Sequence, residues 1–348
     1  AMYFELGEIE KFEKTKKAIE EKNYFYSEAA LAVAYVELAQ NKYKQGFRML
    51  EQRYDMVGFK KYLNSALLKH PRWKGDPLQD KALLVTSEQG LGDTVMMARY
   101  FKDVGKLAGT VYIECQFEVL SLLTHNFPGI PMVATKYGEM NVKDFDTWVA
   151  SLSLPYIFSS TCENIPGKTG YLSVPPDYST YWHDRIEELG NSARPKIGIA
   201  WSGQPNHAAD KRRSLTTEML FPLLQSLPHL DFFALQLKVP RERPTNLIDI
   251  SEELATLADT AAIIDQMDLV ITIDTSLVHL AGALGKPTWL LLPHRYEWRW
   301  GTDGEKNCWY DSVRVIRQPS PGSWAPLLSR VFCRELPRLF APDIRKAA

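Results

Sequence analysis

The first part of the chain follows a helical pattern of apolar and polar positions. Residues 3–70 show helical periodicity and almost no strand pattern. The first helical run contains Ala29, Ala30, Val33, Ala34, Val36, Glu37 and Leu38. A polar turn follows at Asn41-Lys42-Tyr43, and Phe47, Met49 and Leu50 then recur at helical spacing. This pattern predicts a helical hairpin of the tetratricopeptide kind, or alternatively an unrelated helical cap on the next domain. A single hairpin cannot bury both faces, so we expect it to dock on the rest of the chain or to end a longer array.

The pattern changes after a connector at residues 70–77 that is rich in proline and glycine. From there on, short apolar runs alternate with amphipathic segments. The predicted strands are Ala82–Ser87, Thr110–Cys115 and Asp146–Leu152, and the predicted helices are Thr94–Leu107 and Val119–Asn126. Strands that alternate with helices are typical of a mostly parallel sheet covered on both faces.

The same alternation restarts after a second connector, which begins at Pro175 and Pro176. A charged helix near Tyr181–Leu189 and a break at Arg194-Pro195 come first. The predicted strands are then Lys196–Trp201, Asp231–Leu237, Leu269–Ile273 and Pro287–Leu292, and the predicted helices are Thr216–Ser226, Ala258–Met267, Ser276–Leu284 and Trp324–Leu336. The last helix has no sequence feature that assigns it to either half.

This order of elements predicts an α/β fold with two Rossmann-like lobes and an N-terminal helical segment. The predicted domains are a helical tetratricopeptide-like segment at 2–76, a first lobe at 77–180, a second lobe at 195–320, and a C-terminal helix and tail at 321–348. Two such lobes are expected to leave a ligand cleft at the carboxyl ends of their strands.

Composition narrows the function classes. Lysine and arginine number 41 and aspartate and glutamate 42, so the formal net charge is -1 and nucleic acid is not an expected partner. Cys115, Cys162, Cys308 and Cys333 form no CxxC pair, so we expect neither a disulfide framework nor structural zinc, and we predict a cytoplasmic location. No apolar run approaches the ~18–20 residues of a membrane helix, so no membrane span is expected and only peripheral association stays open.

The first segment with candidate chemistry runs from Glu88 to Thr94, between a predicted strand and a predicted helix. Its glycines, Gly90 and Gly92, let the backbone approach a ligand, and the amides of the helix start favour an anion. Asp93 is either an N-cap or a carboxylate that takes a proton from an acceptor hydroxyl. Glu88 is a second carboxylate that binds acceptor hydroxyls or holds the loop, and Gln89 completes this acceptor loop.

The second segment, Asp274-Thr275-Ser276, is again a strand-to-helix turn. The hydroxyls of Thr275 and Ser276 add donors to the free amides, which makes the turn a good cradle for a diphosphate. His279 lies one helical turn after Thr275 and is either structural or part of this site. Asp274 is expected to be the N-cap rather than a catalyst, because a carboxylate repels phosphate.

The third segment follows the opening strand of the second lobe, at Trp201, Ser202 and Gly203. It runs into Lys211-Arg212-Arg213, which either neutralises a leaving phosphate in place of a metal or belongs to the solvated surface. Lys238 ends another predicted strand beside Gln236, and both are further candidates for donor binding.

Other chemistries are disfavoured by the motifs. Asp144 and Asp146 have the spacing of a DxD metal motif but no third ligand is evident, so no metal is expected. The serines lie in no nucleophile-elbow pattern, and the absence of GxGxxG argues against a nicotinamide oxidoreductase. We therefore expect no cofactor, and a nucleotide-sugar only as co-substrate.

Several motifs together resemble a known group of enzymes. In chain order they are Pro71-Arg72-Trp73-Lys74-Gly75, Glu88–Thr94, Ala98-Arg99-Tyr100, Ile199–Pro205, Arg213-Ser214, Ala258-Asp259-Thr260-Ala261-Ala262, Asp274-Thr275-Ser276, His279-Leu280-Ala281-Gly282 and Glu297-Trp298-Arg299-Trp300. The chain is similar in these motifs to bacterial tetratricopeptide-repeat glycosyltransferases related to the heptosyltransferases of glycosyltransferase family 9.

The resemblance implies a GT-B fold with the acceptor mainly on the first lobe and the nucleotide-sugar mainly on the second. It also implies metal-independent transfer with inversion at the anomeric carbon. Asp93 matches the family's proposed base, and the turn from Asp274 to His279 matches its donor-phosphate loop. Two hypotheses follow: a transferase acting on a protein side chain or a saccharide, or a non-catalytic nucleotide-sugar-binding or scaffold protein that retains the fold.

Overall fold

The structure is a computed structural model that describes residues 9–21, 27–56, 58–59, 63, 67–107, 109–134, 144–207, 210–295 and 297–341. The chain forms two compact units. Unit 1 consists of Ala1–Lys168 and Arg295–Trp309, and unit 2 of Thr169–His294 and Tyr310–Ala348. Each unit contains a parallel sheet with helices, which confirms the predicted α/β class.

Unit 1 begins with helices α1 (Ile9–Glu21), α2 (Ser27–Ala39) and α3 (Tyr43–Leu50). The turn between α2 and α3 places Asn41 at φ 61°, a left-handed conformation that asparagine adopts more readily than most residues. Gly46 lets the two helices approach, because a Cβ there would lie 2.6 Å from Leu38 Cγ and 3.0 Å from Leu38 N. The helical hairpin is therefore present, whereas its kinship with tetratricopeptide repeats stays a prediction.

The hairpin packs against residues 295–309, which lie far along the chain. Within that segment Trp298–Trp300 forms a 3₁₀ turn that contacts α2. The ring centroids of Tyr43 and Trp309 are 5.5 Å apart, and Phe47 meets Trp298 edge-on at 5.9 Å. Because aromatic rings bury large apolar areas, these contacts assign the segment to unit 1.

The two units divide the chain differently from the sequence-based boundaries. The segments predicted at 2–76 and 77–180 do not form separate units: residues up to Lys168 lie together in unit 1. Residues 295–309 belong to unit 1, although the sequence predicts them in the second lobe at 195–320. The segment predicted as a separate tail at 321–348 belongs to unit 2. Burial between segments that are distant in sequence decides this division, and sequence order does not record it.

The sheet of unit 1 has four parallel strands in the order β3-β2-β1-β4. The strands are β1 (Ala82–Thr86), β2 (Thr110–Cys115), β3 (Met132–Ala134) and β4 (Thr147–Ala150), and the helices that follow them are α4 (Leu91–Met97), α5 (Phe101–Val104), α6 (Phe117–Asn126) and α7 (Leu154–Ile157). The helix predicted at Thr94–Leu107 is interrupted by a 3₁₀ turn at Ala98–Tyr100. β3 was not predicted because three half-buried residues give too short a pattern.

The sheet of unit 2 has six parallel strands in the order β10-β9-β8-β5-β6-β7. The strands are β5 (Lys196–Ala200), β6 (Asp231–Ala234), β7 (Leu247–Asp249), β8 (Leu269–Ile273), β9 (Thr288–Leu292) and β10 (Val313–Arg317). The helices are α8 (Pro176–Leu189), α9 (Asp210–Arg213), α10 (Thr217–Gln225), α11 (Leu257–Gln266), α12 (Ser276–Ala283), α13 (Trp324–Leu328) and α14 (Leu336–Leu339), with a π-helical segment at Ser329–Glu335.

The two edge strands of unit 2 were not predicted. β7 has only three residues, and β10 carries Arg314 and Arg317 among its apolar positions. Both strands therefore lack the continuous apolar run that marks the buried β8 and β9. The C-terminal helices bury Trp324 and Phe332 in the same core as the strands of this sheet, which places them in unit 2.

Two cysteines form a disulfide, Cys162–Cys308, which corrects the expectation that the chain has none. Their Cα atoms lie 5.0 Å apart although they are 146 positions apart in sequence. The pairing depends on the packing of residues 295–309 into unit 1, so no local spacing could reveal it. The cytoplasmic location loses the support of a disulfide-free chain and stays a prediction.

We expect the disulfide to stabilise the protein. A cross-link that closes so long a loop restricts the unfolded chain and contributes about 3–5 kcal/mol. Cys308→Ser should lower the midpoint of urea unfolding, and dithiothreitol should lower that of the wild type equally while leaving the variant unchanged. Cys333→Ser is the matched control, because Cys333 is a free and exposed thiol. An unchanged midpoint for Cys308→Ser would contradict the cross-link.

Candidate functional site

Three loops of unit 2 lie side by side at the carboxyl edge of its sheet. β8, β5 and β6 are neighbours, and the chain continues from them into Asp274, Trp201 and the segment 235–238. Parallel strands end at the same edge, which is where open α/β sheets bind their ligands. The residues predicted for donor binding therefore come from adjacent loops, although sequence separates them by up to 78 positions, from Trp201 to His279.

Gln236 joins the loops that follow β5 and β6. Its Oε1 accepts hydrogen bonds from the backbone N–H groups of Trp201 at 3.0 Å and Ser202 at 3.2 Å. Its Nε2 donates to Ser202 Oγ at 3.1 Å and to the carbonyl oxygen of Lys238 at 2.9 Å. Trp201 is buried beside this amide, so Gln236 and Trp201 set the shape of the loop around Ser202.

Arg213 joins the loops that follow β5 and β8. Its Nη1 donates to the carbonyl oxygen of Asp274 at 2.5 Å, and its Nε lies 3.4 Å from Asp210 Oδ1. A Cβ on Gly203 would lie 2.5 Å from Arg213 Nη2, so a larger residue there would displace the guanidinium from this position. The Gly203 N–H donates to Ser214 Oγ at 3.0 Å, which fixes the loop against α9.

The three predicted basic residues have different surroundings. The side chain of Arg213 is only 13% exposed, whereas Lys211 and Arg212 are exposed on α9. A guanidinium has five donors, so Arg213 can hold Asp274 and still present N–H groups to an anion. Arg213 is thus the member of the group that the fold fixes at the loops.

The N-cap of α12 is Thr275, which corrects the prediction that Asp274 is the cap. Thr275 has the extended backbone of an N-cap (φ -137°), and its Oγ1 accepts from the Leu277 N–H at 3.4 Å. Asp274 instead lies one residue before the cap and uses its carbonyl for Arg213. Thr275 and Ser276 are half-buried at the helix start, where amides and the helix dipole favour an anion.

His279 lies inside unit 2. It is 5% exposed, and its Nδ1 is 3.0 Å from the hydroxyl of Tyr310. Gly282 on the next turn admits the Tyr310 ring, because a Cβ there would lie 2.5 Å from the ring Cγ. This contact fixes α12 to the segment after β9, while the role of His279 in donor binding stays a prediction.

Lys238 lines a cavity of about 780 Å³. Its walls are residues 237–241 and 243, which follow β6, and residues 249–253, which begin at the last residue of β7. Arg241 and Arg243 add positive charge to this cavity, and Asp249 with the glutamates beside it adds negative charge. Lys238 therefore contacts the linked loops through its backbone carbonyl and also lines this cavity.

In unit 1 the glycine-rich loop joins β1 to α4. Asp93 is the third residue of α4 and not its N-cap, which is Gly90. Asp93 Oδ2 accepts from the Gly90 N–H at 3.0 Å, so the carboxylate folds back on the helix start. Its Oδ1 accepts from Nη2 of Arg299, and both side chains are only slightly exposed.

Glu88 forms a buried ion pair with Arg53. The guanidinium donates through Nε and Nη2 to the two carboxylate oxygens at 2.9 and 2.7 Å, and the Leu152 N–H donates to Oε1 at 2.8 Å. Burial is the largest single influence on the pKa of Arg53 and lowers it, but the opposing effects of Glu88, Tyr54 and Glu51 together leave that pKa raised. In this position Glu88 holds the loop to the segment after α3 and to the segment after β4.

The other residues of the glycine-rich loop differ in their exposure to solvent. Gln89 is exposed and has φ 64°, a left-handed conformation that costs a residue other than glycine about 1–2 kcal/mol. Gly92 is buried in the first turn of α4. Gln89 is thus the predicted acceptor-loop side chain that faces solvent, and its strained backbone is of the kind that clusters at ligand sites.

Glu114, at the end of β2, is a buried carboxyl that the sequence did not single out. It is 7% exposed, and Thr86 Oγ1 on β1 donates to its Oε2 at 2.5 Å. Burial raises the pKa of Glu114, while the hydrogen bond from Thr86 opposes that shift. Ser87 Oγ donates to the backbone carbonyl of Glu114 and accepts from Thr94 Oγ1, which connects the backbone at the end of β2 to α4.

Known proteins resemble this chain in sequence and in fold. Residues 253–296, which include the α12 loop, match the family model of Glycosyltransferase family 9 (heptosyltransferase). The E. coli ADP-heptose lps heptosyltransferase II has a similar structure, with a TM-score of 0.53, 15% identity, and coverage of 77% of this chain and 100% of that one. The glycosyl transferase family 9 structure from Veillonella parvula has a TM-score of 0.52 at 12% identity and covers 70% of this chain and 87% of that one.

A longer relative is Protein FlbA of Caulobacter vibrioides, which is 29% identical over 289 residues. The match covers 75% of this chain and 47% of FlbA, so the chain spans about half the length of that relative. The chain thus carries a segment of the family 9 glycosyltransferase type and an α/β fold similar to those of the heptosyltransferase structures.

The described residues contain neither a candidate membrane span nor a candidate metal cluster. None of the described helices is long and apolar enough to cross a membrane. In the same part of the chain, no group of three or more His, Cys, Asp or Glu side chains is arranged to hold a metal ion.

Sequence reasoning missed the partners of the predicted carboxylates. Arg53 belongs to the helical region and Arg299 to a segment that was assigned to the other lobe, so neither stands near the loop in sequence. The only local signal for Arg299 is its place between two tryptophans in Glu297-Trp298-Arg299-Trp300. For Glu114, the sequence feature that could have indicated it is a carboxylate in a strand of mostly apolar residues.

The raised pKa of Glu114 predicts a pH-dependent stability. Between its ordinary value of 4.5 and its higher folded pKa, the folded state binds more protons than the unfolded state, so the free energy of unfolding falls as pH rises. Glu114→Gln should therefore be more stable than the wild type at neutral pH and equal to it below pH 4.5.

Urea unfolding at the two pH values measures this difference. Glu118→Gln is the matched control, because it removes the same charge from an exposed position on α6. If Glu114→Gln were destabilised to the same extent at both pH values, its carboxyl would not be the group that burial disfavours.

Proposed function

We propose that the protein is an inverting, metal-independent glycosyltransferase that moves a sugar from a nucleotide-sugar to an acceptor hydroxyl. The observation that carries the proposal is the link from Arg213 to the Asp274 carbonyl at the start of α12. It places a fixed guanidinium beside a helix N-terminus, and these two groups together suit a diphosphate. The match to a heptosyltransferase family over residues 253–296, which include this helix, supports the same assignment.

In this proposal unit 2 binds the donor. Arg213 and Lys211 neutralise the charge that builds up on the leaving nucleoside diphosphate, the role that a metal ion has in other transferases. Thr275 and Ser276 donate hydroxyl hydrogens to the phosphates, while Gln236 and Gly203 keep the neighbouring loop in shape. His279, which lies on the same helix and contacts Tyr310, is the further residue proposed to hold the diphosphate.

Asp93 is the proposed base. Its carboxylate takes the proton from the acceptor hydroxyl as the oxygen attacks the anomeric carbon. The bond from that carbon to the phosphate oxygen breaks at the same time, and the electron pair leaves with the diphosphate. Attack from the face opposite the leaving group inverts the anomeric configuration.

The acceptor is a protein side chain or a saccharide. We favour a protein side chain, because the helical hairpin of α2 and α3 lies in the same unit as Asp93 and helical repeats commonly bind polypeptides. The kinship with heptosyltransferases supports the saccharide alternative.

A second candidate function is a non-catalytic nucleotide-sugar-binding or scaffold protein. One observation favours it: both carboxylate oxygens of Asp93 already accept hydrogen bonds, from Gly90 and from Arg299. Such a protein would bind a nucleotide-sugar without product formation or hydrolysis, and that outcome separates the two functions.

The first test identifies the donor and then removes the base. A thermal-shift screen against ADP, UDP, GDP and CMP sugars finds the ligand, because binding to the native state raises the unfolding temperature. With that donor, Asp93→Asn should lower the transfer rate by about 10²–10⁴-fold, the usual contribution of a general base, with donor affinity nearly unchanged.

Asp103→Asn is the matched control for this test, since Asp103 pairs with Lys106 on the surface of unit 1. Substantial residual turnover in Asp93→Asn would mean that the carboxylate only holds the Gly90 N–H at the start of α4. Binding of a donor by the wild type without any turnover would favour the scaffold function.

The second test separates two adjacent arginines. Arg213→Ala should weaken binding of the free nucleoside diphosphate by about 10–100-fold, because hydrogen bonds to charged groups contribute about 1.5–3 kcal/mol. Arg212→Ala, which removes the same charge from an exposed neighbour, should change the affinity much less. Equal effects of the two substitutions in isothermal titration calorimetry would remove Arg213 from the site.

A further inference from the structure

The Asp93 carboxylate is held from two directions within unit 1. Gly90, three residues before it, donates its backbone N–H to Oδ2 at 3.0 Å. Arg299, 206 positions further along the chain, donates from Nη2 to Oδ1. The two anchors bind different oxygens, so together they define the rotation of the carboxylate as well as its position.

Arg299 is itself fixed before any ligand arrives. Its Nη1 donates to Glu297 Oε1, and its backbone N–H donates to Glu297 Oε2 at 2.9 Å. The guanidinium carbon lies 4.3 Å from the centre of the Trp298 ring, a distance suited to a cation–π contact. With 11% of its side chain exposed, Arg299 is held by its own 3₁₀ turn in a single orientation.

The Asp93 carboxylate can still accept a proton while Gly90 and Arg299 hold it. An ionised carboxylate offers about four lone-pair sites, and the two anchors occupy two of them. The remaining sites can accept the proton of an acceptor hydroxyl. Without Arg299, Oδ1 would lose its anchor and the carboxylate would turn more freely about its last bond, so fewer of its orientations would suit proton transfer.

We propose that Arg299 is a positioning residue for Asp93, and this inference rests on the proposed function, in which Asp93 is the base. Arg299 acts on the transfer step through the carboxylate, while Glu297 and Trp298 hold the guanidinium for that purpose.

Kinetics of Arg299 variants test the assignment. Arg299→Ala should lower kcat by about 10–100-fold, the loss that a small misplacement of a reacting group produces, while the donor KM stays within about twofold. Added guanidinium at millimolar concentration should restore part of kcat in Arg299→Ala and none in Asp93→Asn. Arg299→Lys should retain an intermediate kcat, because it keeps the charge but not the planar fork.

A matched control separates positioning from general stability. Arg314→Ala also removes an arginine that pairs with a carboxylate, Glu335, and lies near a tryptophan ring, Trp289, but it belongs to unit 2 and to no proposed site. It should lower the unfolding temperature as Arg299→Ala does while leaving kcat unchanged.

A double-mutant cycle completes the test. If Arg299 acts through Asp93, then adding Arg299→Ala to Asp93→Asn should cause little further loss of kcat. Full additivity of the two losses, or a wild-type kcat in Arg299→Ala, would overturn the inference while the proposed function stands. A wild type that transfers no sugar would overturn the proposed function and this inference together.

Discussion

The parallel arrangement of both sheets is the constraint on which the rest of the structure depends. Strands that run in the same direction cannot be joined by tight turns, so each connection crosses over through a helix or loop and the strand ends collect at one edge. In unit 2 this brings together the loops after β8, β5 and β6, and in unit 1 the loop after β1 and the end of β2. The candidate chemistry of each unit follows from that arrangement.

Side chains that tie one loop to the next then give each edge its shape. Gln236 connects the loops after β5 and β6, and Arg213 connects those after β5 and β8. Glu88 and Arg53 perform the same task in unit 1, where a buried ion pair holds the glycine-rich loop to the segment after α3. Gln236, Arg213 and Glu88, which the sequence motifs predict to bind a ligand, are therefore each hydrogen-bonded to another part of the chain. These bonds use some of the donors and acceptors that a ligand would otherwise meet.

The segment 295–309 shows how packing can reassign part of a chain. It follows β9, yet Trp298 and Trp309 bury their rings against the helical hairpin of unit 1. The Cys162–Cys308 disulfide secures the end of this segment, and Arg299 within it meets Asp93. The burial of these two tryptophan rings against the hairpin sets the boundary of unit 1. It also brings Cys308 to Cys162 and Arg299 to Asp93.

The sequence by itself determined the α/β class, the helical start and most of the buried strands, because these depend on local periodicity and on apolar runs. β2 and β8 were predicted with their observed bounds, whereas β3, β7 and β10 were missed because they are short or interrupted by arginine. Sequence also located the loops that carry Asp93, Arg213 and Thr275, since glycine, hydroxyl and basic residues after a strand mark such turns.

Only the tertiary structure decided what each of these side chains touches. The N-cap of α12 depends on which residue adopts the extended backbone, and this proved to be Thr275 rather than Asp274. The partners of Glu88 and Asp93 come from positions 53 and 299, and their burial depends on contacts between segments that local patterns do not relate. Spacing along the chain records which residues are neighbours in a helix or strand, whereas the ion pairs and the disulfide depend on how those elements pack.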